Sequence, residues 1–138
     1  MFENVLVREW MTSPVISITP ATLISEAHEV MKEHGIRRLP VLEKGKLVGI
    51  ITIGDVREAS PSDATTLSVY ELNYMLDKLT AKDFMTHHPI TISPDATIHE
   101  AARLMLEHKI GGLPVVEDGH LVGIITETDF CRILLSQP

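Results

Sequence analysis

Apolar residues in this chain change their period several times, and each change marks a predicted element. Ile24, Ala27, Val30 and Met31 recur at three- and four-residue intervals, the spacing that lines up side chains on one face of an α-helix. Ile98, Ala101, Ala102 and Met105 repeat that spacing later, and Thr97 with Glu100 three residues on has the form of a capping box at the helix start. Between these helices the period shortens. Leu39-Pro40-Val41-Leu42 and Leu47-Val48-Gly49-Ile50-Ile51-Thr52 are short apolar runs on either side of Glu43-Lys44-Gly45-Lys46. That pattern predicts a β-hairpin whose glycine takes the left-handed turn position. Ahead of the first helix, Val15-Ile16-Ser17-Ile18 reads as a short strand closed by Thr19-Pro20, and a second helix is expected to open at or beside Asp55. The order is β-α-β-β-α, preceded by a short amphipathic lead at residues 7–11.

The whole pattern then returns. Residues 7–59 align with residues 81–133 without a gap at a constant offset of 74, giving 24 identities in 53 pairs, and LPVLEKGKLVGIITIGD reappears as LPVVEDGHLVGIITETD. The predicted fold is therefore α/β, with two β-α-β-β-α repeats packed about a pseudo-two-fold axis that creates two related clefts. We place the first repeat at residues 1–61, a linker with a short helix at 62–80, and the second repeat at 81–138. In the linker, Ser60-Pro61-Ser62-Asp63 reads as a helix stop and loop. Ser68 and Glu71 suggest another capping box, and Leu72, Met75, Leu76 and Leu79 trace an apolar stripe.

Composition narrows the functional classes. With 138 residues and 44% hydrophobic content the chain can bury a core, whereas each half alone is short for one. A net charge of -7 and the lack of a Lys/Arg run argue against a nucleic-acid footprint or an anionic membrane surface, leaving small molecules and proteins as partners. No apolar run reaches membrane-spanning length, and the first residues, Met-Phe-Glu-Asn-Val, lack the cationic and apolar segments of an export signal. A cytoplasmic location is expected. The single cysteine, Cys131, can form neither an internal disulfide nor a cysteine metal cluster.

Candidate chemistry concentrates where the second hairpin strand runs into a helix. Gly49-Ile50-Ile51-Thr52-Ile53-Gly54-Asp55 and Gly123-Ile124-Ile125-Thr126-Glu127-Thr128-Asp129 both set a Thr and an Asp at a helix start, where free N–H groups and the helix dipole favour an anion. The same residues would also serve simply as helix caps. Seven histidines, His87-His88 among them, raise a metal reading, but neighbours on an extended chain point to opposite faces and no ligand spacing accompanies them. His34 and His108 fall at equivalent helix ends, where a histidine suits the negative dipole. No metal site is expected. Neither Cys131 nor any serine has a recognisable base beside it, so the chain is not expected to be an enzyme.

The doubled M-T, I-x-I-x-P, E-A and L-P-V…G-x-L-V-G-I-I-T-x-x-D pattern resembles a tandem cystathionine-β-synthase (CBS) domain pair, or Bateman module, over nearly the whole chain. The resemblance implies a stand-alone regulatory module that senses an adenosine-containing ligand (AMP, ADP, ATP, S-adenosylmethionine or NAD) in the inter-repeat cleft and signals to an unidentified effector protein. No cofactor is required on this reading; the adenine nucleotide or adenosyl ligand acts as regulator. Asp55 and Asp129 would accept from ribose hydroxyls, with Thr52, Thr126 and Thr128 beside them. The adenine ring would lie against Val15, Ile16 and Ile36 in one copy and Pro89, Ile90 and Ile110 in the other, although each of these also suits plain core. Arg37 and Arg38 stand where related modules place phosphate contacts, or are simply exposed; the second copy has Gly111-Gly112 there. The resemblance further implies that Thr126 and Asp129 face Arg37 and Arg38 across the axis, and that the module pairs into a flat homodimer. A ligand-free dimerisation scaffold is the alternative.

Overall fold

The structure, a computed structural model, describes residues 2–59, 68, 70, 71, 74 and 77–137. In chain order its elements are α1 (Val7–Trp10), α2 (Ile24–His34), β1 (Arg38–Glu43), β2 (Lys46–Thr52), α3 (Ile53–Ala59), α4 (Ala81–Phe84), β3 (Thr86–His87), α5 (Ile98–His108), β4 (Gly112–Glu117), β5 (His120–Thr126) and α6 (Glu127–Leu135). The protein is mixed α/β and divides into two compact units. Residues 16–89 form a central unit, and residues 1–15 together with 90–138 form a terminal unit. Each unit therefore holds one repeat's hairpin and helices together with the lead that precedes the other repeat.

In the central unit, β1 and β2 form the expected antiparallel hairpin, from Arg38 opposite Thr52 to Glu43 opposite Lys46. Both turn residues are left-handed, Lys44 at φ 52 and Gly45 at φ 79, the combination whose twist matches that of the flanking strands. A bulge follows Val41, since Val41 pairs with Gly49 but Leu42 with Leu47. The strand expected at residues 15–18 shortens to one bridging residue: Ile18 N–H donates to Pro40 O and Ile18 O accepts from Leu42 N–H. Prolines at 14 and 20 lack the N–H that would carry that ladder further. Helix α2 turns Ile24, Ala27 and Met31 onto Leu39, Val41 and Ile51, and Val56 and Ala59 of α3 complete the core. Each large aliphatic side chain buried this way contributes about 1.5–3 kcal/mol. In the linker Ser68 Oγ accepts from Glu71 N–H as expected, and Leu79 packs against the core while its carbonyl accepts from Ile24 N–H. Leu72, Met75, Leu76 and the stretch 60–63 lie outside the described residues.

The lead at 81–89 closes the central sheet. Thr86 and His87 of β3 pair antiparallel with Ile50 and Gly49, so the strand order is β1-β2-β3. A glycine is required at position 49 for this approach, because a Cβ there would lie 2.5 Å from Met85 Sδ and 3.0 Å from Thr86 O.

The terminal unit repeats these relations at the offset seen in the sequence. β4 and β5 form a hairpin with Asp118 at φ 51 and Gly119 at φ 80, and Ile92 bridges to Val115. Ile98, Ala101 and Met105 of α5 pack on Leu113, Val115 and Ile125, with Ile133 from α6 and Val7 from α1. Thr97 Oγ1 accepts from Glu100 N–H at 3.1 Å, the N-cap contact expected at this helix start. The N-terminal lead docks here: Val7 and Arg8 N–H donate to Ala96 and Pro94 carbonyls, and Thr12 exchanges two backbone bonds with Ile124. Met11 then covers Gly123 as Met85 covers Gly49. Among the described residues, no helix is long and apolar enough to cross a membrane.

Candidate functional site

Each unit builds one T-x-x-D loop from the end of a hairpin strand and the first turn of the helix after it. In the central unit, Thr52 ends β2, and α3 opens so that its N–H groups need acceptors. Asp55 Oδ2 accepts from Thr52 N–H at 2.8 Å and from Thr52 Oγ1 at 3.0 Å, while Asp55 N–H donates back to Thr52 Oγ1 at 3.2 Å. This is a reciprocal capping box, so the capping role open to these residues is filled. It uses only half of the carboxylate. Among the described residues Asp55 Oδ1 accepts no hydrogen bond, and no buried side-chain oxygen or nitrogen is left without a partner, so Oδ1 reaches solvent.

The residues before the hairpin proline stand at the same end of the same sheet. Arg38 pairs in register with Thr52, and the carbonyl of Arg37 accepts from Ile53 N–H at 2.8 Å. The strand register therefore groups Arg37 and Arg38 with Thr52 and Asp55 inside the central unit. In the terminal unit the equivalent bonds run from Glu127 N–H to Gly111 O, with Gly112 opposite Thr126, so that loop receives no cation from its own strand.

Asp129 is in a different state from Asp55. It is only 1% exposed. Its Oδ2 accepts from Thr126 N–H at 2.8 Å and from Thr126 Oγ1 at 3.4 Å. Its Oδ1 accepts from Thr12 Oγ1 at 3.0 Å, and Arg132 Nη2 forms an ion pair with the same oxygen. A carboxylate offers about four lone-pair positions, and here all are engaged. The guanidinium of Arg132 also reaches the carbonyl of Trp10 at 3.5 Å. Sequence reasoning did not single out Thr12 or Arg132. The second was detectable, since Asp and Arg three residues apart on a helix face each other, and the position equivalent to Arg132 in the first copy is Glu58.

The other candidates divide between the units. Ile16, Ile36 and Pro89 belong to the central unit and Val15, Ile90 and Ile110 to the terminal one. Ile36 packs against the central core, and Ile90 and Ile110 against the terminal core. Ile16 is 36% exposed, and Thr128 in the first turn of α6 is exposed. Ile110 also lines an open groove of about 520 Å³ with Met105 and Leu106 of α5 and Phe130 of α6. His87 and His88 are exposed, and among the described residues no three His, Cys, Asp or Glu side chains cluster as metal ligands.

Comparison with known proteins matches this geometry. The family model for the CBS domain matches twice, at residues 7–62 and 81–136. An inosine-5'-monophosphate dehydrogenase of Korarchaeum cryptofilum is 40% identical over 116 residues, which are 83% of this chain but 21% of that enzyme; the chain thus spans about a fifth of its length. The CBS domain pair of protein MJ0100, solved in complex with methylthioadenosine and S-adenosyl-L-methionine, superposes with a TM-score of 0.81 at 31% identity, covering 98% of this chain and 99% of that one. CBSX2, solved in complex with AMP, gives a TM-score of 0.78 at 30% identity, covering 96% and 97%.

Proposed function

The chain belongs to the CBS domain family, and on that premise we propose that it is a regulatory module that binds an adenosine-containing ligand at its T-x-x-D loops and signals occupancy to a partner protein. The observation that carries the proposal is the open Oδ1 of Asp55, held at a helix start at the same sheet end where the strand register sets the backbone of Arg37 and Arg38. A vicinal ribose diol donates two hydrogen bonds to one carboxylate, and an arginine receives phosphate bidentately. The adenosyl ligands bound by MJ0100 and CBSX2 support this class of ligand. Sequence reasoning assigned Arg37 and Arg38 to Asp129; the strand register favours Asp55, and the proposal follows the register. The role is sensing. A thermal-shift panel of AMP, ATP, S-adenosylmethionine and NAD tests it, because a ligand that binds only the folded state raises the melting temperature. No shift with any of them would contradict the proposal.

A second reading concerns assembly. Leu106 is 81% exposed and Leu135 82% exposed, with Leu134 similar, so the helices of the terminal unit present apolar surface to solvent. We propose that this surface, with the groove between α5 and α6, joins two copies into a homodimer. Dimerisation without any nucleotide response would instead favour the scaffold reading, and sedimentation with and without AMP separates the two.

A further inference from the structure

We propose that Arg132 and Thr12 form a latch on Asp129 that keeps the terminal T-x-x-D loop closed to a ribose diol and ties that carboxylate to the N-terminal lead. The inference rests on the adenosyl reading and deepens it, by making the two loops of one module unequal. Their unequal states follow from two positions. Thr12 and Arg132 each bond Oδ1 of Asp129, the oxygen whose equivalent in Asp55 is open. The central unit has a threonine, Thr86, at the position matching Thr12, but Glu58 at the position matching Arg132. A glutamate there repels a carboxylate, so only the terminal loop can be latched.

A diol can reach Asp129 only by displacing hydrogen bonds the carboxylate already makes, which lowers apparent affinity by the cost of opening. That displacement also removes the side-chain tie on the lead. Thr12 remains joined to Ile124 through its backbone, while Arg132 loses its hold next to Trp10 O. Ligand at the terminal loop would therefore loosen the side-chain anchorage of residues 10–12. The arginine side chain is 53% exposed, so it has room to swing away.

The test compares the wild-type chain with Arg132→Met, which keeps the aliphatic stem and removes the donors, and with Thr12→Val. Amide hydrogen exchange at residues 10–12 is followed without ligand, and AMP and 2'-deoxy-AMP are titrated by calorimetry. The latch predicts several-fold faster exchange at these amides in Arg132→Met. It also predicts that AMP binding at a second site strengthens about tenfold or more, since a charge-assisted bond no longer opposes it. The gain should be absent with 2'-deoxy-AMP, which lacks the diol. Arg132→Lys should recover part of the closed behaviour. Unchanged exchange in both variants would overturn the latch whatever the ligand does. Faster exchange with one unaltered AMP site would overturn its gating role. Should no AMP bind to wild type or variants while exchange still rises, gating is refuted with the adenosyl reading, and the fault lies in the ligand and not in the anchorage.

Discussion

Replacing Gly49 by alanine tests how the leads dock. The new Cβ would stand 2.5 Å from Met85 Sδ, 3.0 Å from Met85 Cγ and 3.0 Å from Thr86 O. Methionine can bend, but Met85 is buried, and the Thr86 carbonyl belongs to a backbone segment paired with β2. Either β3 moves off the sheet or the methionine leaves its place. Overpacking of this kind costs about 1–3 kcal/mol, from which about 0.4–1 kcal/mol is offset by the lower entropy of the unfolded chain. A net loss of about 1–2 kcal/mol corresponds to a fall of about 3–10 °C in a protein of this size. Gly54→Ala supplies the opposite sign in the same chain. Its Cβ would meet only Thr52 Oγ1, at 3.5 Å, and the position is in the exposed first turn of α3, so alanine should stabilise by a few tenths to about 1 kcal/mol. Scanning calorimetry of the two variants decides the matter. If Gly49→Ala melts at or above the wild-type temperature, the close approach of the lead is wrong.

Two further outcomes follow from surface chemistry. Leu106→Glu and Leu135→Glu should each shift a homodimer toward monomer in sedimentation at micromolar concentration, and a dimer unaffected by both would place the interface elsewhere. Asp83 caps α4 through Thr80, whose N–H and hydroxyl bonds hold its carboxyl below the ordinary carboxylate range. A depressed folded pKa means its contribution is present above the ordinary value of about 3.8 and lost as pH falls through the folded pKa. A carboxyl titration by NMR should show that low midpoint in the wild type and a midpoint moved part of the way back in Thr80→Val, which loses the hydroxyl bond but keeps the backbone N–H; equal midpoints would contradict the hydroxyl's part in the cap.

Much of this was legible in the residues. The hairpins were readable because a left-handed turn between apolar runs leaves little alternative, and Lys44-Gly45 and Asp118-Gly119 occupy such turns. Helices α2 and α5 followed from spacing alone, and the Thr-Asp pairs from their place at helix starts. The exchange of leads was not readable. Hydrophobic period says that residues 7–11 have a face to bury but not which sheet receives it, and Gly49 and Met85 are brought together by tertiary packing alone. The grouping of Arg38 with Thr52 needed the strand register, whereas an assignment from family likeness had paired the arginines with Asp129. Asp55 and Asp129 look alike in sequence because their motifs are alike; they differ through Arg132, outside the motif, and Thr12, which arrives from the other end of the chain.

The central claim is that this module binds an adenosine ligand, and that the open carboxylate of Asp55, with Arg38 from the paired strand, forms the principal contact. Calorimetric titration of AMP into wild type, Asp55→Ala, Arg38→Ala and Asp129→Ala tests it most directly. Hydrogen bonds to charged groups are worth about 1.5–3 kcal/mol, so Asp55→Ala and Arg38→Ala should each weaken binding by about tenfold or more, with a smaller loss for Asp129→Ala. Absence of binding by the wild type, or a loss at Asp129→Ala equal to or greater than that at Asp55→Ala, would contradict the account.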